Sequence, residues 1–375
     1  MKKRILSSLL IILLLLVTGC QSKNNTVSET GSNNFNGTYD ASTVKKEKTE
    51  KVNNAAKEKA HKGRSLSANV GIGATPAQSL TPVPSNGFSF AIEADPHFDE
   101  KCVDSVLNQT VANIISSKPD FLIDLGDTYM YEKLGKTPAD REYRKKLVDK
   151  YFSKFRNIPI KMVSGNHDVP INTGEGNYYT FTYKNAQFIV LDPYAFSKKS
   201  VGKGGGWATT LGKTQYDWLK NILADSKSDF KFVFIHNLTG GISKASRGGA
   251  EAAELYEWGG KNENGIDEFS KMRPDWDMPI HDLLVKYGVD AVFHGHDHFY
   301  AKQEKDGMIY QLVPQPGTPG NSVNDASSYG YESGVFLPSP GYIRVVVSPQ
   351  KAVIEYIKTE SDGKFSIPNV YSIEP

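Results

Sequence analysis

The sequence predicts an α/β fold in which two β-sheets lie together with helices outside. Two observations predict it. From Phe88 onward, short apolar runs of strand length alternate with amphipathic stretches of helix length. Past Val289 only β segments follow. Strands alternating with helices form sheets covered on their faces, and terminal hairpins extend them. A third observation bears on function: short polar clusters follow five of the strands, and ligands of open α/β sheets gather at strand carboxyl ends.

Taken in order, Phe88 to Ala94 reads as a strand. Asp99 to Ser117 reads as a helix with Val103, Val106, Leu107, Val111, Ile114 and Ile115 on one face. Phe121 to Leu125 is a strand, Asp140 to Phe155 a helix, and Ile158 to Val163 a strand. Tyr178 to Tyr183 and Gln187 to Leu191 flank Lys184-Asn185 as a hairpin. Thr214 to Ala224 is a helix, Lys231 to Ile235 a strand, Pro279 to Lys286 a helix and Val289 to Phe293 a strand. Met308 to Val313, Tyr342 to Val347 and Val353 to Ile357 complete the β segments.

The front of the chain has another character. Lys2, Lys3 and Arg4 precede an apolar run from Ile5 to Val17, too short to span a bilayer and suited to a secretion signal. It ends in Val17-Thr18-Gly19-Cys20, which resembles the bacterial lipoprotein signal. That resemblance implies lipidation at Cys20, export, and anchoring to the outer face of the cell membrane. Residues 21–85 are rich in Asn, Ser, Thr, Lys and Glu and poor in large apolar side chains, so burial cannot offset their ordering entropy. The expected organisation is a signal at 1–20, a polar tether at 21–85 and a globular domain at 86–375.

Charge follows the same division. Residues 1–85 hold 12 Lys/Arg against 5 Asp/Glu, and the remainder 32 against 37. An acidic globular part argues against nucleic acid as a partner. The two cysteines, Cys20 and Cys102, exclude a disulfide framework. Cys102 is expected to be a small buried hydrophobe.

The polar clusters are Asp95-Pro96-His97, Gly126-Asp127, Gly165-Asn166-His167-Asp168, His236-Asn237 and Gly295-His296-Asp297-His298. They contain five of the eight histidines. Asp, His and Asn form the N/O donor set of borderline divalent metals such as manganese, zinc and iron. In order and content the clusters resemble the five blocks of the calcineurin-like metallophosphoesterases: D-x-H, G-D, G-N-H-[DE], a lone H after a strand, and G-H-x-H.

The resemblance implies a four-layer αββα sandwich of two mixed sheets and a dinuclear site of divalent ions. Asp95, His97 and His298 would hold one ion, Asn166, His236 and His296 the other, and Asp127 would bridge them. It further implies hydrolysis of a small phosphorylated substrate by metal-activated hydroxide, with His167 protonating the leaving group or binding the phosphoryl group and Asp168 orienting His167. The blocks depart from two relatives. Purple acid phosphatases place a tyrosine at the position of Met130, and the serine/threonine phosphatases extend the second block to G-D-x-x-D-R-G, which Gly126-Asp127-Thr128-Tyr129-Met130-Tyr131 does not.

Other residues have plainer readings. His294 is expected in the strand before the last block, His281 to pack within its helix, and His61 to be solvated. Gly204-Gly205-Gly206 lacks the Lys-Ser/Thr of a phosphate loop and reads as a loop. Residues 238–277 read as a long Gly-rich loop between two blocks, offering Arg247 and Arg273 as substrate contacts. No obligate protein partner is evident. Against a surface phosphoesterase stand a non-catalytic ligand-binding lipoprotein, which should have lost a ligand or His167, and a surface nuclease, which should carry a basic groove.

Overall fold

The computed structural model describes residues 79–98, 102–130, 137–168, 174, 176–198, 206–240, 247–320 and 323–375. Cys20, His61, most of the expected tether, and Gly204 and Gly205 lie outside the described residues. Among the described residues no helix is long and apolar enough to cross a membrane.

The strands are β1 (Phe88–Glu93), β2 (Phe121–Asp124), β3 (Ile160–Met162), β4 (Tyr179–Tyr183), β5 (Ala186–Val190), β6 (Phe230–Phe234), β7 (Ala291–His294), β8 (Tyr300–Lys305), β9 (Met308–Leu312), β10 (Val335–Leu337), β11 (Gly341–Val347), β12 (Ala352–Thr359) and β13 (Phe365–Ile373). The longer helices are α1 (Asp104–Ser116), α2 (Pro138–Phe152) and α3 (Gly212–Asp225). Four shorter ones follow: α4 (Gly249–Ala252), α5 (Tyr256–Gly259), α6 (Phe269–Met272) and α7 (Ile280–Lys286).

Both sheets are mixed. The first runs β13-β12-β11-β1-β2-β3, with β1, β2 and β3 parallel and the rest antiparallel. The second runs β10-β8-β9-β7-β6-β5-β4, with β5, β6, β7 and β9 parallel. Side chains alternate across each strand, and here both faces are apolar because both are covered. Phe90 and Ile92 of β1, Phe188 and Val190 of β5, and Phe232 and Phe234 of β6 face one core between the sheets. Ala91 and Leu122 face α1 through Leu107, Val111 and Ile114. Ile189, Val233 and Val292 face α3 and α7 through Leu219, Leu223, Leu283 and Leu284. These three cores separate four layers, so the expected αββα arrangement is present.

The central core is aromatic. Phe90 stacks on Phe121 at 5.4 Å and meets Phe188 edge-on at 5.1 Å, and Phe234 stacks on Phe293 at 5.3 Å. Truncating such a buried Phe to Ala costs roughly 3–5 kcal/mol. This rigid layer holds the ends of β1, β2, β6 and β7, from which four of the polar clusters spring.

Several expectations needed revision. Packing reaches back to Leu80 and Thr81, inside the stretch read as tether. The Thr81 amide donates to Glu355 Oε1 at 2.7 Å, and Arg344 donates to its carbonyl at 2.9 Å. Residues 247–277 are not one loop: α4, α5 and α6 fold there and bury Trp258, Phe269 and Trp276. The last third is not β alone, since short 3₁₀ turns occupy Val323–Asp325 and Ser327–Tyr329. Cys102 is only half-buried, against the core beneath α1, and burial pushes its thiol up to about 11.

Candidate metal centre

Each of the five clusters leaves the carboxyl end of a strand, from β1, β2, β3, β6 and β7. Bonds between clusters close them into one unit. The Asp95 amide donates to the Gly126 carbonyl at 3.0 Å, the His97 amide to the Asp127 carbonyl at 3.2 Å, and the Gly295 amide to the His236 carbonyl at 2.8 Å.

The backbone here is unusual. Asp95, His97, Asp127, His296 and His298 all have positive φ, between 41° and 77°. A non-glycine residue in this region is strained, and such strain persists only where the surroundings over-determine it. The adjoining glycines show how tightly the loops approach. A Cβ at Gly165 would lie 2.2 Å from both the amide nitrogen and Oδ1 of Asp127, and one at Gly295 would lie 2.8 Å from Asp95 Oδ2.

The side chains form two groups. Asp95, His97 and His298 bring one donor atom each within 4.8 Å of one another, and so do Asp127, His236 and His296. Asp95 Oδ1 lies 3.4 Å from His298 Nε2, 3.7 Å from His97 Nε2 and 3.8 Å from His236 Nε2. Asp127 Oδ2 lies 3.2 Å from His236 Nε2. The other oxygen of each carboxylate is fixed: Asp95 Oδ2 accepts from the His296 amide and Asp127 Oδ1 from the His167 amide, both at 2.8 Å. The Leu125 carbonyl, 2.9 Å from His236 Nδ1, selects the tautomer whose Nε2 faces the carboxylates.

These residues fit a pair of divalent ions. Asp95 Oδ1, both ring nitrogens of His97, Asn166 Oδ1 and His236 Nε2 are buried and make no hydrogen bond among the described residues. Buried polar atoms are normally paired, so converging unpaired donors of N/O type mark a site for cations. Two donors held about 2.1 Å from one ion are themselves roughly 3.0–3.4 Å apart, close to the spacings seen. Electrostatics point the same way. Burial alone would raise Asp95 and Asp127, yet neighbouring imidazoles hold Asp95 well below the carboxylate range and Asp127 at about 2. Burial would lower His236, but Asp127 and Asp95 raise it to about 10. The carboxylates therefore demand positive charge at this point.

Of the catalytic residues expected from sequence, His167 stands at the mouth of the centre. Its side chain is 17% exposed and its Nε2 lies 3.9 Å from Asp127 Oδ2. Asp168 does something else. Its Oδ2 accepts from the amides of Asp127 at 2.6 Å and Gly165 at 3.0 Å, and its Oδ1 has no hydrogen-bond partner among the described residues. The expected orientation of the His167 ring by Asp168 is therefore corrected. Asp168 binds the backbone on which Asp127 and Asn166 are mounted, and its burial beside Asp127 raises its carboxyl to about 8.

Arg273 is likewise corrected. It donates to Glu257 Oε2 at 2.9 Å, the Trp207 carbonyl at 2.7 Å and the Met272 carbonyl at 2.9 Å. Glu257 is fully buried, so Arg273 neutralises it and ties α5 to α6 rather than meeting substrate. Arg247 does reach the centre. Its Nε donates to Asp297 Oδ1 at 2.7 Å, and Asp297 lies between His296 and His298. His281 is structural, bridging Tyr310 and Asp306 at 2.7 and 2.8 Å. His294 ends β7, fully buried, and burial lowers its imidazole to about 3.

Two features escaped the sequence reading. Glu93 and Asp124 pair across β1 and β2 beneath the ligand loops, and burial raises Glu93 well up and Asp124 to about 7. Asp124 Oδ1 accepts from the Gly126 amide at 2.7 Å, while Tyr151 donates to Glu93 at 2.8 Å. A carboxylate closing each of two otherwise apolar or neutral strands was the available signal. Tyr194 is fully buried with its ring 6.3 Å from that of His236 and its hydroxyl without a hydrogen-bond partner among the described residues. Burial and the charge of Asp127 push its phenol well up.

Comparison with known proteins agrees with this geometry. The profile of the calcineurin-like phosphoesterases matches residues 88–300. The chain is similar to tartrate-resistant acid phosphatase type 5 of Oryctolagus cuniculus, 22% identical over 276 residues that cover 65% of this chain and 76% of that protein. To the Mus musculus protein of the same name it is 24% identical over 285 residues, with the same coverage. A solved structure of PhoD shares the fold with a TM-score of 0.52 at 15% identity, covering 78% of this chain and 70% of that one.

Proposed function

The chain belongs to the calcineurin-like phosphoesterase family, and from that premise we propose how its residues divide the work of a metal-dependent phosphoric ester hydrolase. Asp95, His97 and His298 hold one divalent ion, Asn166, His236 and His296 the other, and Asp127 serves both. The observation that carries this reading is the two groups of converging donors, Asp95 with His97 and His298, and Asp127 with His236 and His296, in which Asp95, His97 and His236 present buried atoms that make no hydrogen bond among the described residues. When bound, a pair of divalent ions supplies positive charge for the phosphoryl oxygens and acidifies water enough for hydroxide attack at neutral pH.

The protein's own groups do the rest. Asp168 holds the amides of Asp127 and Gly165, and Asp124 holds the Gly126 amide, so the ligands are fixed before substrate arrives. His167, partly exposed beside Asp127, donates a proton to the leaving oxygen as the ester bond breaks.

The same reading extends to the front of the chain. Residues 1–20 act as an export signal, Cys20 carries the lipid, and the residues between it and the packed Leu80 tether the globular part at the outer face of the membrane. The basic start, the short apolar run and Val17-Thr18-Gly19-Cys20 support this.

Hydrolysis of p-nitrophenyl phosphate by protein stripped of metal, then reloaded with manganese or zinc, tests the catalytic reading. Activity is expected to vanish on stripping and return on loading. Activity that survives complete stripping contradicts it. Inactivity in every state of loading favours a ligand-binding lipoprotein instead.

A further inference from the structure

The loop after β5 brings a tyrosine to the centre. β5 pairs in parallel with β6, so Tyr194, just past the end of β5, leaves the sheet beside His236, just past the end of β6. The two rings lie 6.3 Å apart, tilted by 54°. The backbone under Tyr194 is fixed. Asp192 Oδ1 accepts from the amides of Tyr194 at 2.9 Å and Ala195 at 3.3 Å, and the Ser197 amide donates to the Tyr194 carbonyl at 3.2 Å. Asp192 is itself held: its amide donates to Gln215 Oε1 and its other oxygen accepts from the Asn177 amide, both at 2.9 Å. Tyr256 packs with the Tyr194 ring, and Trp207 and Leu255 pack against the pair.

This scaffolding holds a hydroxyl that the protein does not satisfy. Tyr194 is 0% exposed, and its oxygen makes no hydrogen bond among the described residues. Buried polar atoms are normally paired, and an exception asks for a partner from outside the chain. The other unpaired atoms of the second ligand group, Asn166 Oδ1 and His236 Nε2, are electron-pair donors that suit a cation. A neutral phenol is different. Burial favours it over phenolate, and its O–H is a hydrogen-bond donor. Beside a cation centre, such an O–H suits the anion that the cations attract.

We propose that Tyr194 is a substrate-binding residue whose hydroxyl donates to a phosphoryl oxygen at the second ligand group. The inference rests on the reading of the centre as a phosphoester hydrolase. His167 stands at the exposed mouth, whereas Tyr194 is enclosed. The two donors therefore divide the phosphoryl group: His167 serves the leaving oxygen, and Tyr194 a non-bridging one. A donor preset in a dry site strengthens the hold on that oxygen without reorganisation.

The test compares metal-loaded wild type with Tyr194→Phe, which removes one oxygen and keeps the ring. Inorganic phosphate, titrated calorimetrically, should bind the variant about 10–100-fold more weakly, the worth of a hydrogen bond to a charged group. The kcat/KM for p-nitrophenyl phosphate should fall by a similar factor. Metal content should be unchanged, and the metal-free variant should melt no lower than wild type, because the lost hydroxyl has no partner in the protein. Equal phosphate affinity in the two proteins would overturn the proposal and leave the hydroxyl to a trapped water. Loss of a metal ion would overturn it in favour of a ligand role, and a lower melting temperature of the metal-free variant in favour of a structural one. If wild type cleaves no ester, the hydrolase reading fails while phosphate affinity still decides the contact; a wild type that binds no phosphate overturns it. Should Tyr194→Phe not fold, a crystal of metal-loaded wild type with phosphate decides instead. The Tyr194 oxygen within about 3.2 Å of a phosphate oxygen supports the contact, and a longer separation overturns it.

Discussion

Replacing His167 by alanine separates proton transfer from metal binding, because its backbone and its ring do different things. The His167 amide holds Asp127 Oδ1 at 2.8 Å, and alanine keeps that amide. The ring meets His97 edge-on at 5.7 Å and is partly open to solvent, so its loss opens no cavity in the core. His167→Ala should therefore retain both metal ions and melt within a degree or so of wild type. The rate is another matter. A positioned general acid contributes roughly 10²–10⁴-fold, equivalent to about 2.7–5.4 kcal/mol at the transition state. Leaving groups of high pKa need the proton and should lose the full factor; p-nitrophenolate leaves with little help and should lose much less. The assay is kcat/KM for wild type and variant over esters of graded leaving-group pKa. A steeper dependence in the variant is expected. Parallel lines would refute the acid role and leave His167 as an electrostatic donor.

Three further outcomes follow from the same geometry. Asp127→Asn removes the carboxylate proposed to serve both ions and should leave fewer than two metals per chain by elemental analysis; two retained metals would contradict its bridging role. Gly165→Ala places a methyl group 2.2 Å from Asp127 and should weaken metal affinity by roughly 10–100-fold, the usual effect of disturbing groups behind ligands, measured by competition with a chromophoric chelator; unchanged affinity would show that the loop can give way. Cys20→Ala should move the protein from the detergent phase to the aqueous phase after expression in a bacterium, and a mature N-terminus elsewhere, without lipid, would refute the anchor.

The parallel strands were legible because β1, β2, β6 and β7 are buried on both faces and read as unbroken apolar runs. The polar clusters stood out against them. Other elements were hidden for physical reasons. β13 contains Pro368, which argues against a central strand; the structure puts it at the sheet edge, with Ile367 and Pro368 opposite Ile357 where the register shifts. β8 is polar because Gln303 uses its amide to hold Glu251 and the Ala250 amide. The glycines of 247–277 masked three short helices, whose stability comes from Trp258 and Phe269 in the core rather than from helix propensity. At the site, residue types and order identified the donors, but nothing local distinguishes Arg247, which reaches the centre, from Arg273, which answers a buried Glu257. Nor does the motif reveal that Asp168 serves the backbone instead of His167.

The central claim is that two ions are shared among seven named side chains. An anomalous-difference map from crystals of the manganese-loaded protein tests it most directly. The account predicts two peaks, one within reach of Asp95, His97 and His298, the other of Asn166, His236 and His296, with Asp127 touching both. A single peak, or a second one away from Asn166 and His236, would contradict it.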